Sequence, residues 1–251
     1  MATGKIRLDQ AMVERGLAES RTRAQAVILA GLVFSGTQRL DKPGHAIAPE
    51  TEIHLKGQDH PWVSRGGLKL EKGLEYFSID VTGHTCLDIG ASTGGFTDVL
   101  LSRGAVKVYA VDVGQGQLAW KLRQDPRVVV MEQTNARHLT RDQIPDPVDV
   151  IVCDASFIGL RTVLPAAMAL VAPQAFLVAL IKPQFEVGKE RVGKGGVVRD
   201  PDLHEEVCQT ISTWLSDQPG WHVLGVTESP ITGPEGNREF LIGGRYERPA
   251  S

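Results

Sequence analysis

Hydrophobic positions follow two different patterns along this 251-residue chain, and the change falls near residue 84. Before it, Leu8, Ala11, Met12 and Arg15 in "RLDQAMVERGL" keep helical spacing, and Gly16 is placed to stop that helix. Ser20 can cap a second helix with an apolar face of Ala24, Val27 and Ile28, closed by Gly31. Two short strand-like runs follow, "LVFSG" and "TEIHLKG", separated by the turn-rich "DKPGHAI". The pattern predicts a small α+β unit over residues 1–60. Residues 61–83 then read as a linker and leading helix, helical from about Gly67 to Phe77.

From residue 84 strand-like and helix-like segments alternate. Strands are expected over 85–91, 106–114, 127–136, 148–156, 175–181, 222–230 and 238–244. Helices are expected over 94–104, 117–124, 162–172 and 202–218. Such alternation predicts an α/β domain over residues 84–246, a parallel sheet with helices on both faces. In sheets of this kind ligands lie outside the C-terminal ends of the strands. Two strands break the apolar pattern there: "VIVCDASFI" ends on Asp154, and "AFLVALIKPQFE" ends on Lys182 with Pro183 behind it. A proline removes a ladder donor, as expected where a strand leaves the sheet to build a site.

Composition narrows the picture. Cys86, Cys153 and Cys208 are odd in number and scattered, which argues against a disulfide framework and a zinc site and fits a reducing cytoplasm. The seven histidines show no ligand-like spacing, so no metal is expected. "MATGKIRLDQ" has no apolar stretch of a signal peptide, and no run approaches the ~18 apolar residues of a membrane span. The net charge of −3 is uneven, since residues 1–72 carry +3. A basic front on an acidic body suggests a nucleic-acid contact at one end.

"LDIGASTGGFTD" follows the first strand of the large domain. Gly90, Gly94 and Gly95 let the chain turn and approach a ligand, and the helix opens at Gly94 or Gly95. The loop departs from G-x-G-x-x-G, which disfavours a dinucleotide oxidoreductase, and it lacks the Lys-Ser/Thr of a phosphate-cradling loop. Asp112 ends the next strand, where an acid can hold a ribose diol. Asn135 either lies near a bound base or caps the helix that starts nearby. "EVGKERVGKGGVVRD" is a glycine-rich loop with Lys189, Arg191, Lys194 and Arg199, either a phosphate clamp or a solvated loop. Phe157 and Phe185 flank Asp154 and Lys182, placed either to stack on a base or to pack in the core.

These motifs carry resemblances. "RLDQAMVERGLAESRTRAQAVILAGLVFSG" resembles the S4 RNA-binding domain, with Ser20, Arg21, Arg23, Ala24, Ile28, Gly31, Val33 and Gly36 on its pattern. The resemblance implies contact with ribosomal RNA through Arg7, Arg21 and Arg23, although solvated surface arginines would read the same way; Arg65 and the loop cations Lys189, Arg191 and Lys194 are further candidates for RNA contact. The glycine loop with its second-strand acid resembles Rossmann-like S-adenosylmethionine-dependent methyltransferases. That implies an S-adenosyl-L-methionine site made by Asp88, Gly90, Ala91, Ser92, Gly94, Gly95, Asp112, Val113, Asn135 and Asp154. Lys69, Asp154, Lys182 and Glu239 resemble the K-D-K-E tetrad of FtsJ-like ribose 2'-O-methyltransferases. A ribose hydroxyl must lose its proton as it attacks a methyl group. A lysine beside it can stabilise the developing oxyanion, or accept the proton if burial and a second lysine favour its neutral form.

Nearly the whole chain resembles the TlyA-type rRNA methyltransferases, some of which have been called haemolysins. "PWVSRGGLKL", "DIGASTGGFTD", "DASFI", "IKPQFE", "GKGGVVRD" and "GNREF" carry the match. The implied activity is 2'-O-methylation of cytidine in ribosomal RNA of one or both subunits by a cytoplasmic, monomeric enzyme. A non-catalytic assembly factor is the alternative, disfavoured by the intact tetrad. Nothing in the sequence supports membrane damage. Trp62 and Val63, just before Lys69, are placed to couple RNA binding to cofactor binding.

Overall fold

The computed structural model describes residues 5–15, 17, 18, 20–29, 31–55, 60–233 and 235–249. The chain divides into two compact units, Met1–Pro61 and Trp62–Ser251.

The first unit runs β1 (Ile6–Arg7), α1 (Leu8–Glu14), α2 (Arg21–Leu29), β2 (Val33–Ser35), β3 (Gln38–Arg39), β4 (Ala46–Ile47) and β5 (His54–Leu55). Leu8, Ala11 and Met12 of α1 meet Ala24 and Ile28 of α2 in one core with Val33, Ile47 and Ile53. Ser20 Oγ accepts from the Arg23 amide at 3.2 Å, the expected cap. Gly31 follows α2 with φ +73, a conformation that favours glycine. The strand expected over 51–57 contracts to His54–Leu55, with Lys56 and Gly57 outside the described residues, as is Gly16.

The second unit contains α3 (Gly66–Tyr76), β6 (Thr85–Ile89), α4 (Gly95–Ser102), β7 (Lys107–Val111), α5 (Trp120–Arg123), β8 (Val128–Met131), β9 (Val148–Cys153), α6 (Leu160–Met168), β10 (Val171–Ile181), α7 (Pro183–Glu186), α8 (Pro201–Ser216), β11 (Trp221–Glu228) and β12 (Phe240–Glu247). Seven strands form one sheet in the order β11-β12-β10-β9-β6-β7-β8. The run β10-β9-β6-β7-β8 is parallel. β12 runs antiparallel to both its neighbours, which corrects the expectation of an all-parallel sheet. Among the described residues no helix lies between β11 and β12 to make the crossover that parallel pairing requires.

Odd-numbered strand residues such as Leu87, Ile89, Ile151, Leu177 and Ala179 pack on one face with α6 and α8. Cys86, Val150, Val152, Val178 and Leu180 pack on the other, with Leu70 and Leu74 of α3 and Val99 and Leu100 of α4. The strand order reverses between β6 and β9, so the sheet splays there at its C-terminal edge.

Three of the differences from the expected element boundaries carry a physical lesson. The helix expected over 162–172 ends at Met168, and Val171 and Ala172 open β10 instead. The apolar run is compatible with both states, and pairing of Val171 with Val148 decides it. The strand expected over 127–136 stops at Met131, ahead of a turn in which Gln133 takes φ +52. The helix expected over 117–124 is a single turn.

Candidate active site

Side chains alternate across a strand, so even positions at the C-terminal edge continue the face that carries α3 and α4. Asp88, Asp112, Asp154 and Lys182 all fall in that register. Glu239, one residue before β12, continues the same face by way of Leu241, because in β12 it is the odd positions that face α3 and α4. The four tetrad residues therefore converge from separate segments. Lys69 Nζ on α3 lies 2.6 Å from Glu239 Oε2 and 3.5 Å from Asp154 Oδ2. Lys182 Nζ lies 2.7 Å from Asp154 Oδ1. Both lysine side chains are 8% exposed, Glu239 is 1% exposed, and Asp154 is 20% exposed. Two buried cations thus face two carboxylates, and Asp154 is shared between them. Pro183 is the first residue of α7, where its missing N–H costs no helix bond.

Two cavities meet at Asp154. The larger, about 700 Å³, runs past Gly90, Ser92, Asp112, Val113, Asn135 and Phe157. The smaller, about 180 Å³, is lined by Ser64, Arg65, Lys69, Ala91, Gly95 and Asp154 among others. Gly90 has φ +80, and a Cβ there would sit 2.9 Å from the Ala155 backbone. Only glycine lets β6 turn this close to the chain after β9. Gly94 has φ +96, and a Cβ there would strike Leu118 and Leu122. It serves packing beneath the loop.

The Asp112 carboxylate accepts from the Ser92 amide at 2.8 Å and from the Gly114 amide at 2.7 Å, tying two cleft walls together. The capping expected of Asn135 is present, and the residue also faces a cavity. It lines the larger cleft, and its side chain accepts from the Arg137 amide to cap a short turn. Asp88 and Gly94 are the expected cofactor residues that line neither cavity. Asp88 is fully buried and accepts from Thr97 Oγ1 at 2.6 Å. Burial pushes its carboxyl up to about 7, the Thr97 hydroxyl opposes this, and the Asp154 and Asp112 charges add to the rise.

The expected RNA contacts spread over both units. In the first, Arg7 and Arg21 share the fully buried Asp9 at 2.9 and 3.2 Å, and Gln25 donates to the same carboxylate. The Arg7 guanidinium holds Asp9 well below the usual carboxylate range, against the opposing effect of burial, with Gln25 and Arg21 assisting. Both guanidinium groups remain about half exposed, and Arg23 is exposed. In the second unit Arg65 donates to the Thr232 carbonyl at 2.6 Å. Arg191 makes a two-pronged pair with Glu206, and Lys194 is exposed. The side chain of Lys189 lies outside the described residues.

Several supporting residues escaped the sequence reading. Ser156 Oγ accepts from Lys182 Nζ at 2.9 Å. Asn237, buried two residues before Glu239, accepts from the Val198 amide and donates to the Gly196 carbonyl, fastening the glycine-rich loop. Glu132 accepts from the amides of Gly116 and Gln117 at 2.8 and 3.0 Å and pairs with Arg123. Burial alone would raise Glu132, but these donors hold it low. Only Ser156 and Asn237 had a signal in the motifs, through their spacing from Asp154 and Glu239. Trp62 packs in the core against Gly67, where a Cβ would meet its ring at 2.4 Å. Phe157 is 90% exposed and its ring centroid lies 5.2 Å from that of Phe185, so it is not a core residue. Among the described residues no group of three or more His, Cys, Asp or Glu is arranged to hold a metal ion, and no helix is long and apolar enough to cross a membrane.

Comparison with known proteins agrees with this geometry. Residues 62–246 match the FtsJ-like methyltransferase family and residues 6–53 match the S4 domain. The 16S/23S rRNA (cytidine-2'-O)-methyltransferase TlyA of Mycobacterium tuberculosis is 50% identical over 95% of this chain and 89% of its own. Hemolysin A of Brachyspira hyodysenteriae is 44% identical over 94% of this chain and 98% of its own. A solved hemolysin-named protein from Streptococcus thermophilus superposes with a TM-score of 0.76 at 46% identity, covering 98% of this chain and 90% of that one. The chain belongs to the FtsJ-like methyltransferase family and carries an S4 domain together with the methyltransferase domain.

Proposed function

We propose that this protein transfers the methyl group of S-adenosyl-L-methionine to the 2'-hydroxyl of a cytidine in ribosomal RNA. The observation that carries the reading is the meeting of Lys69, Asp154, Lys182 and Glu239 at the junction of the two cavities. The cleft suits the cofactor: Gly90 permits close approach, and Asp112 stands at the end of β7, where an acid can take a ribose diol. Asn135 and Val113 line the end suited to the base. Ala91, Ser92 and Gly95 line the smaller pocket, suited to the amino-acid end. When bound, the cofactor supplies an electrophilic methyl group.

The chain's own residues then act on the hydroxyl. Asp154 and Glu239 neutralise the two lysines, so both cations can be held close together out of water. Their preorganised charge stabilises the oxygen as it loses its proton. Arg7, Arg21 and Arg23 of the S4 domain, with Arg65, Lys194 and Arg191, contact RNA phosphates. The substrate is a ribosomal subunit in the cytoplasm, met by a monomer. The Mycobacterium tuberculosis relative is named for both 16S and 23S RNA, which makes both subunits the substrates to try.

The test is transfer of tritium from labelled S-adenosylmethionine to purified 30S and 50S subunits, with wild type beside Lys182→Ala. Label in RNA from the wild type alone, at a ribose 2'-oxygen, is the expected result. RNA retention with no label from either protein would instead assign the chain as an assembly factor.

A further inference from the structure

Ser156 joins the solvent-facing cleft to a buried lysine. It is exposed and lines the larger cavity, and its Oγ lies 2.9 Å from Lys182 Nζ. Three oxygens surround that nitrogen: Asp154 Oδ1 at 2.7 Å, Ser156 Oγ at 2.9 Å and the Asp154 carbonyl at 3.2 Å. Two of these are hydrogen bonds donated by the lysine, to Ser156 Oγ and to the Asp154 carbonyl, and the third is an ion pair with the Asp154 carboxylate. Lys182 therefore acts on Ser156 as a hydrogen-bond donor. The next group outward is the Ser156 hydroxyl. One of its lone pairs takes the Lys182 hydrogen; the second lone pair and its own hydrogen remain for the cleft. Phe157, at φ +66, turns the chain immediately after it.

We propose that Ser156 is the proton relay of the reaction, an inference that rests on the methyl-transfer reading above. The attacking hydroxyl donates its hydrogen to Ser156 Oγ. As the new O–C bond forms and the donor's S–C bond breaks, the sulfur keeps that electron pair. The hydroxyl proton passes to Ser156 Oγ while the Ser156 hydrogen leaves for cleft water, so one proton reaches solvent per methyl transferred. Lys182 fixes the Ser156 oxygen, and Asp154 balances the Lys182 charge. Deletion of such a relay lies within the range of general acid–base effects.

The experiment uses the full chain and ribosomal subunits under single-turnover conditions, comparing wild type, Ser156→Ala and Ser156→Thr, with cofactor affinity measured by calorimetry. Ser156→Ala is expected to slow transfer about a hundredfold while cofactor affinity stays within about twofold. Ser156→Thr, which keeps a hydroxyl, is expected to recover at least about tenfold of that loss. A merely structural serine would change cofactor affinity, or would not be rescued by threonine. Ser156→Ala working at the wild-type rate, or threonine doing no better than alanine, overturns the relay and leaves the ribose reading standing. A wild type that methylates a base, or no RNA at all, overturns both.

Discussion

At the scale of single residues, the fold changes the meaning of Asp88. The sequence places it at a strand end beside a ligand loop. The pleat turns it instead beneath that loop, onto Thr97, fully buried from solvent. Its carboxyl titrates near 7 in the folded chain and near 3.8 in the unfolded one. Between those values the native state binds the extra proton, so Asp88 lowers stability as pH rises from about 4 to about 7 and changes nothing above that. Asp88→Asn keeps an acceptor for Thr97 and removes the titration. Its stability relative to wild type, read from melting curves, should climb from pH 5 to about pH 7 and then level off, a difference on the order of a few kcal/mol. A constant offset across that range would mean Asp88 is ionised throughout. Residues like this are hard to read in a sequence because identity reveals the charge but not which side of the loop it faces. Asp9 is a second case, an ordinary-looking acid that turns out to organise Arg7, Arg21 and Gln25.

At the scale of elements, Asp154 and Lys182 were legible because each is a charge that ends an apolar strand, whereas Lys69 and Glu239 joined them through the resemblance to the FtsJ-like tetrad. Every second residue of a strand shares a face, and the apolar run of β10 fixes which face Lys182 continues. What local pattern did not resolve was the boundary between α6 and β10, where a uniformly apolar segment satisfies both periods and pairing with β9 decides. Strand order was also out of reach, including the antiparallel β12 that carries Glu239 to the site. The Lys69–Glu239 pair links α3 to the approach of β12 in a nearly dry setting. Breaking it with Glu239→Gln leaves Lys69 only the 3.5 Å contact with Asp154 and is expected to cost about 3 kcal/mol or more. Replacing both partners, Lys69→Met with Glu239→Leu, should recover most of the melting temperature while transferring no methyl groups. Calorimetry beside the tritium assay reads both. A single variant as stable as wild type would show that the pair contributes nothing to the fold.

For the whole molecule, the chain separates its tasks. The S4 unit has its own core and its own cation cluster, and the methyltransferase unit contains every tetrad residue. Arg21 and Arg23 open α2, where positive charge opposes the helix dipole. A mildly unfavourable placement of this kind suits a surface that awaits phosphate. Arg21 is also partly held in place by buried Asp9, so little side-chain freedom remains to be lost on binding. The double variant Arg21→Gln/Arg23→Gln should therefore weaken binding to ribosomal RNA and flatten its dependence on salt. Each cation withdrawn from a phosphate lowers the slope of log affinity against log salt by about 0.7 to 0.9, so a drop of roughly 1.5 is expected for the pair. Cofactor affinity, set by the other unit, should not move. Filter binding of RNA across a salt series, with calorimetry of S-adenosylmethionine on the same samples, measures the two together. An unchanged salt slope would remove these arginines from the RNA contact and leave the basic front of the chain a solvated surface.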